Sequence, residues 1–178
     1  MRRLLALLTL VTGLAFAQVP AYNENTVGLG FGISPLNSGR PNMLIVQGSF
    51  GLPFSPLGID TGLEVEGLVP TSFDGIEIWA MVKANLLPAL VVADLPLSVG
   101  LGLDLSFDTR ASVFGTHLGP IATLEIPGGA LSGYLGLGLE GGFNLAYGLA
   151  GRLYLDPVAL ELGLSDRYAL KIAVLYLY

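Results

Sequence analysis

From Leu97 to Phe107 the chain reads LSVGLGLDLSF. Leu97, Val99, Leu101, Leu103, Leu105 and Phe107 hold the odd positions, and Ser98, Gly100, Gly102, Asp104 and Ser106 lie between them. A period of two marks an extended strand whose two faces meet different surroundings. The pattern recurs at Val27, Leu29, Phe31, Ile33; at Leu44, Val46, Phe50, Leu52; at Ile59, Leu63, Val65; and at Ile76, Ile78, Val82, Leu86. Beyond Phe107 it returns at Leu118, Ala122, Leu124, Ile126; at Leu135, Leu137, Leu139, Phe143; at Leu149, Leu153, Leu155; at Leu160, Leu162, Leu164; and at Leu170, Ile172, Val174, Tyr176, Tyr178. Ten strands are predicted. Turn chemistry separates them at Pro53 to Pro56, Ser72 to Gly75, Pro127-Gly128-Gly129, Asp156-Pro157 and Ser165-Asp166-Arg167. The run from Leu87 to Pro96 is too apolar for an ordinary loop and extends both flanking strands in this reading. Pro120 weakens strand 6 by removing a ladder donor, and eight strands is the alternative count.

Alternation also disposes of an apparent motif. Gly136, Gly138 and Gly141 stand at G-x-G-x-x-G spacing, the fingerprint of a dinucleotide-binding turn. That turn needs an amphipathic helix after the glycines, and here another strand hairpin follows.

Composition decides which way the faces point. Charged residues are 12% of the chain and hydrophobic ones 52%, with 25 glycines, whereas a soluble domain carries about 25% charged residues. The small-residue face is mostly glycine and serine, unlike a water-exposed surface rich in Lys and Glu. The longest apolar run after the N-terminal segment, Leu86 to Ala93, is too short for a membrane helix and contains Pro88. An apolar chain without a spanning helix crosses a bilayer only as a closed barrel, because lipid leaves no partner for unpaired backbone groups. The expected fold is therefore all-β, a closed antiparallel up-and-down transmembrane β-barrel with leucine toward lipid and small or charged residues toward the lumen. Aromatics near strand ends, Phe50, Phe54, Phe73, Phe107, Phe143, Tyr147, Tyr168, Tyr176 and Tyr178, fit interfacial girdles.

The N-terminus fits export. Arg2 and Arg3 precede the apolar run Leu4 to Leu14, and Ala15-Phe16-Ala17 gives a small-x-small cleavage site. Residues 1–17 are read as a signal peptide, 18–26 as a short periplasmic lead-in and 27–178 as the barrel. With Arg2 and Arg3 removed, six basic residues face fourteen acidic ones, a net charge of −8, which argues against nucleic acid as a partner. There is no cysteine, so neither disulfides nor lipid attachment through cysteine is expected.

The last strand, YALKIAVLYLY, puts Leu170, Ile172, Val174, Tyr176 and Tyr178 on one face and ends on an aromatic carboxy terminus. In this it resembles the small bacterial outer-membrane barrels of the OmpA and OmpX kind. The resemblance covers architecture and carries no sequence motif or catalytic residue. It implies an outer-membrane location, both termini and short turns in the periplasm, outer-membrane lipids as surroundings, and the assembly machinery as a partner of the C-terminal strand. The predicted outward loops are briefer than those of adhesive members of that class. A monomer is expected.

Hairpin symmetry gives a register for the lumen charges. A turn at Asp156-Pro157 sets Arg152 across from Glu161, one centred on Asp166 sets Glu161 across from Lys171, and one centred on Ala146 sets Glu140 across from Arg152. The predicted row is Glu140, Arg152, Glu161, Lys171. Opposite charges facing across strands contribute about 0.2–1 kcal/mol per pair. Lys83 pairs in the same way with Glu64 or Glu66, and Asp60, Glu77, Asp104 and Glu125 complete the lumen acids.

Three functions follow from such an interior. An ion-paired lumen suits a structural, membrane-integrity or surface protein; an acidic surplus suits a narrow, cation-preferring channel; and an outer-membrane lipid-processing enzyme needs a His beside a Ser or carboxylate. The one histidine, His117, falls near the outer end of strand 6, with Asp108, Ser112 and Thr116 in the preceding loop region, and no catalytic residue is assigned. One His and no Cys leave a transition-metal site without ligands, and no cofactor is expected.

Overall fold

The computed structural model describes residues 24–178 apart from 37, 54 and 141–143. The predicted signal segment, most of the lead-in, Phe54, Gly141 and Phe143 lie outside the described residues. The chain forms ten strands: β1 (Thr26–Ile33), β2 (Met43–Gly51), β3 (Thr61–Pro70), β4 (Glu77–Val92), β5 (Leu95–Asp108), β6 (Val113–Ile126), β7 (Gly129–Gly138), β8 (Leu145–Tyr154), β9 (Val158–Ser165) and β10 (Leu170–Leu177). Each pairs antiparallel with its sequence neighbours, and β1 pairs with β10 to close the barrel. Closure pairs the edges that an open sheet would leave free.

The period of two sorts the side chains as the sequence predicts. Leu29, Val46, Leu149, Leu162 and Val174 are among the exposed outward residues. Lys171, Glu161, Asp104 and Thr123 are buried on the inner face. The extended reading of Leu87 to Pro96 holds: β4 runs to Val92 and β5 begins at Leu95, joined by Ala93-Asp94. Both turn residues have positive φ, 51° and 64°, as a two-residue I′ hairpin requires. Register shifts between Asn85 and Leu87 and between Leu87 and Leu90 place irregular pairing around Pro88, where the ladder lacks a donor.

Strand β6 continues through Pro120 at constant register. His117↔Gly138 and Leu118↔Leu137 resume at Ile121↔Tyr134, skipping only Gly119 and Pro120. A Cβ on Gly119 would lie 1.9 Å from the carbonyl oxygen of Leu135. Glycine there lets β6 approach β7 beside the missing proline donor.

The inner face is less uniformly small and charged than its sequence pattern suggests. Trp79, Met81 and Ile121 form one buried apolar cluster with Tyr134 against it. Met43, Ile45, Leu68 and Tyr168 form a second, and Ala159, Ala173 and Leu175 a third. Tyr168, expected in an outward girdle, is buried among them. Outward aromatics do gather toward both ends: Tyr176 and Tyr178 beside the chain terminus, and Phe73, Phe107, Phe114 and Tyr147 toward the opposite mouth.

Candidate functional site: the charged interior and the mouth vestibule

Two belts of ion pairs cross the barrel. The belt nearer the termini is centred on Arg152, whose Nε lies 2.5 Å from Glu161 Oε2 and whose Nη1 pairs with Glu24 just before β1. Arg152 faces Glu161 directly in the β8–β9 ladder, as the turn at Asp156-Pro157 predicts. Burial raises the Glu24 carboxyl above its ordinary range, opposed by the adjacent Arg152. Glu64 stands 3.9 Å from Arg152 Nη2 and pairs with Lys83.

Lys171 continues this belt. Its Nζ lies 2.6 Å from Glu161 Oε1 and pairs with Glu66, each of the three side chains being almost wholly buried. Gln47 spans the pair: its Nε2 donates to Glu161 Oε1 at 3.1 Å and its Oε1 accepts from Lys171 Nζ at 2.9 Å. Both ends of the amide are used, which fixes its orientation.

Parts of the predicted row need correction. Lys171 faces Gly163, and Ala173 faces Glu161, because the β9–β10 turn centres one residue later than Asp166. Lys171 therefore reaches Glu161 diagonally. Lys83 likewise faces Gly62 while Glu64 faces Met81 and Glu66 faces Trp79; Lys83 takes Glu64, and Glu66 goes to Lys171. Glu140 is not in the row. Strand β8 begins at Leu145, where the alternation Leu145, Tyr147, Leu149 starts, so Arg152 faces Ala130 across β7. Glu140 lies beyond the end of β7 at the mouth opposite the termini, where its Oε1 accepts a hydrogen bond from Thr116 Oγ1 at 3.4 Å. Asp60 also leaves the lumen set, because β3 begins at Thr61 and Asp60 is an exposed residue of the β2–β3 connection. Glu77, Asp104 and Glu125 are buried on the inner face as expected.

The second belt contains a cation that sequence reasoning missed. Arg167 follows the Ser165-Asp166 turn signal, yet its side chain is buried, with Nη2 2.8 Å from Asp104 Oδ2 and Nε 3.6 Å from Glu77 Oε1. Its guanidinium lies 4.6 Å from the Trp79 ring centroid, a cation–π distance. The signal was present: Arg167 shares the parity of Lys171, Ala173 and Leu175, all inward on β10. Trp79 likewise shares the parity of Glu77 and Lys83 on β4. His117, expected near the outer end of strand 6, sits on β6 opposite Asp104 and is buried, its Nδ1 4.0 Å from Asp104 Oδ2.

Two cavities adjoin this belt. One of about 80 Å³ touches Glu66, Trp79, Asp104, Tyr134 and Lys171, where Glu66 Oε2, Trp79 Nε1, Asp104 Oδ1 and Tyr134 Oη have no hydrogen-bond partner among the described residues. Met81 and Ile121 stand in its wall beside these polar groups. The other, about 500 Å³, is a vestibule at the mouth opposite the termini, with Arg40, Glu77, Asp108, His117, Glu140 and Asp166 in its walls. Among the described residues no three His, Asp or Glu side chains converge as a metal site.

The interior acids are then Glu24, Glu64, Glu66, Glu77, Asp104, Glu125 and Glu161, against Lys83, Arg152, Arg167 and Lys171. Seven acids against four bases leave three carboxylates in excess among these interior residues. No protein-family model, no curated protein and no solved structure matches the chain.

Proposed function

We propose that this protein is an integral outer-membrane β-barrel with a structural or surface role and a closed, ion-paired lumen. The observation that carries the reading is its inside-out partition: leucine, valine and aromatic side chains cover the outer wall, while lysine, arginine and carboxylates are buried and paired inside. A water-soluble barrel places these classes the other way round. The wall composition fits lipid on one side, and an exported chain ending in an aromatic strand fits the OmpA and OmpX kind of barrel and delivery by its assembly machinery. The cross-barrel pairs from β10 to β3 and from the β9–β10 turn to β5 support a plug rather than an open pore.

Planar-bilayer recording of the purified protein tests this reading. Wild type is expected to insert and remain electrically silent. A steady cation-selective conductance in wild type, changed by Arg152→Glu, would replace the plug with a channel.

A further inference from the structure

The wall of the barrel is uneven in height. Strands β4 and β5 have 16 and 14 residues, whereas β9 and β10, across the ring of ten from them, have 8 each. At about 3.3 Å per residue and a tilt of about 40°, β4 covers about 40 Å along the barrel axis and β10 about 20 Å, against an apolar band about 25 Å tall in lipid. The excess lies at the mouth that holds the termini. There β3 accompanies β4 only as far as Thr61↔Ala84, and Asn85 N donates to Asp60 O at 2.9 Å. From Leu86 to Val92 the described ladder partner of β4 is β5 alone, and the register shifts in this stretch bend the ribbon.

This projecting ribbon is apolar on both faces. Leu87, Leu90 and Val92 pair with Val99, Leu97 and Leu95 and continue the outward wall, while Val91, opposite Pro96 on the other face, is 71% exposed. A second apolar protrusion stands on the same side of the same mouth. Leu57, in the β2–β3 connection that reaches β4 through Asp60, is 98% exposed and holds a left-handed φ of 58°, a conformation that a residue with a Cβ adopts at a cost. Across residues 52–60 and 85–97 the charged side chains are Asp60 and Asp94 alone. The turns of the other mouth carry Arg40, Asp74, Arg110, Glu140 and Asp166 instead.

Two requirements locate such a surface. Leucine and valine exposed on both faces favour removal from water, whereas the backbone groups along the free edge of β4 need polar partners that hydrocarbon lacks. The boundary between headgroups and acyl chains meets both. We propose that the tip of the β4–β5 hairpin, with Leu57 beside it, is an interfacial anchor that lies among the lipid headgroups of the leaflet at the termini mouth. The anchor continues the outer wall and rests on the reading of that wall as membrane-spanning. With no lysine or arginine in these segments, zwitterionic lipid suffices for it.

The chain has no cysteine, so a single introduced one places a fluorescent label at a known position. Leu57→Cys, Val91→Cys, Leu162→Cys and Ser38→Cys, each labelled in the full-length protein folded into phosphatidylcholine vesicles, are quenched by lipids carrying a nitroxide on the headgroup or midway along an acyl chain. The label at Leu162, midway along β9, should be quenched most by the acyl-chain nitroxide. Labels at Leu57 and Val91 should be quenched at least about twofold more by the headgroup nitroxide than by the acyl-chain one, and more than the label at Ser38, in the polar β1–β2 loop of the other mouth. Quenching at Leu57 and Val91 no stronger than at Ser38, or strongest from the acyl-chain nitroxide, would overturn the anchor while the Leu162 result upholds the membrane-spanning wall. A Leu162 label untouched by the acyl-chain nitroxide would overturn that wall and the anchor with it.

Discussion

Lys171 shows what a single buried charge does in this interior. It sits between Glu66 and Glu161, with Gln47 accepting a third contact, so its removal strands the buried Glu66 carboxylate and leaves Glu161 with Arg152 as its one cation. Lys171→Ala should cost about 3–5 kcal/mol, read as a lower midpoint in urea unfolding of the protein folded into vesicles. Lys83→Ala should cost less, since Glu64 keeps Arg152 at 3.9 Å. How far the sequence discloses such contacts depends on the hairpin. Arg152 and Glu161 are joined by a short turn marked by Asp156-Pro157, and their pairing follows from counting. Glu66 and Lys171 lie on strands that are not neighbours, so no count along a hairpin relates them; only the closed barrel does. Arg167 was hidden for a different reason: Ser165-Asp166 ends β9 as expected, but the residue after the turn already points inward.

At the scale of the element, alternation located all ten strands because each divides two environments, whereas turn centres were legible only where Pro or Gly fixes them. A centre displaced by one residue moves every facing pair by two and leaves inside and outside unchanged; this is why Lys171 kept its face and reaches Glu161 diagonally instead of directly. The β4–β5 hairpin shows a turn that its sequence does not advertise. Ala93 and Asp94 both occupy left-handed backbone, at roughly 1 kcal/mol or more for a residue with a Cβ such as alanine. Ala93→Asn with Asp94→Gly should therefore stabilise the barrel by about 1–2 kcal/mol, seen as a higher urea midpoint. Gly119→Ala should act in the opposite sense. Its methyl group meets the Leu135 carbonyl and the Gly136 Cα, and about 1–3 kcal/mol of overpacking should appear as a lower midpoint in the same measurement.

For the whole molecule, the outer wall sets the sharpest test of its surroundings. Leu162 lies midway along β9 and is 58% exposed. In a bilayer, Leu162→Arg should cost about 2–4 kcal/mol near the midplane, measured by unfolding from vesicles; a barrel whose wall meets water would lose almost nothing. The fold class was legible at this scale because inside-out composition leaves a chain few other structures, while the vestibule was not, being assembled from the ends of strands far apart in sequence. The two ionic belts have a further consequence, for the order of assembly. Gln47 meets Glu161 across 114 positions of chain, Lys171 meets Glu66 across 105, and Arg167 meets Asp104 across 63. No hairpin can form these contacts by itself, so a growing sheet, although it can pair Arg152 with Glu161 and Lys83 with Glu64, leaves Glu66 without Lys171 and Asp104 without Arg167 until β1 meets β10. Closure neutralises them together, which makes the last strand pairing the step that commits the chain and an incomplete barrel the species with most reason to come apart.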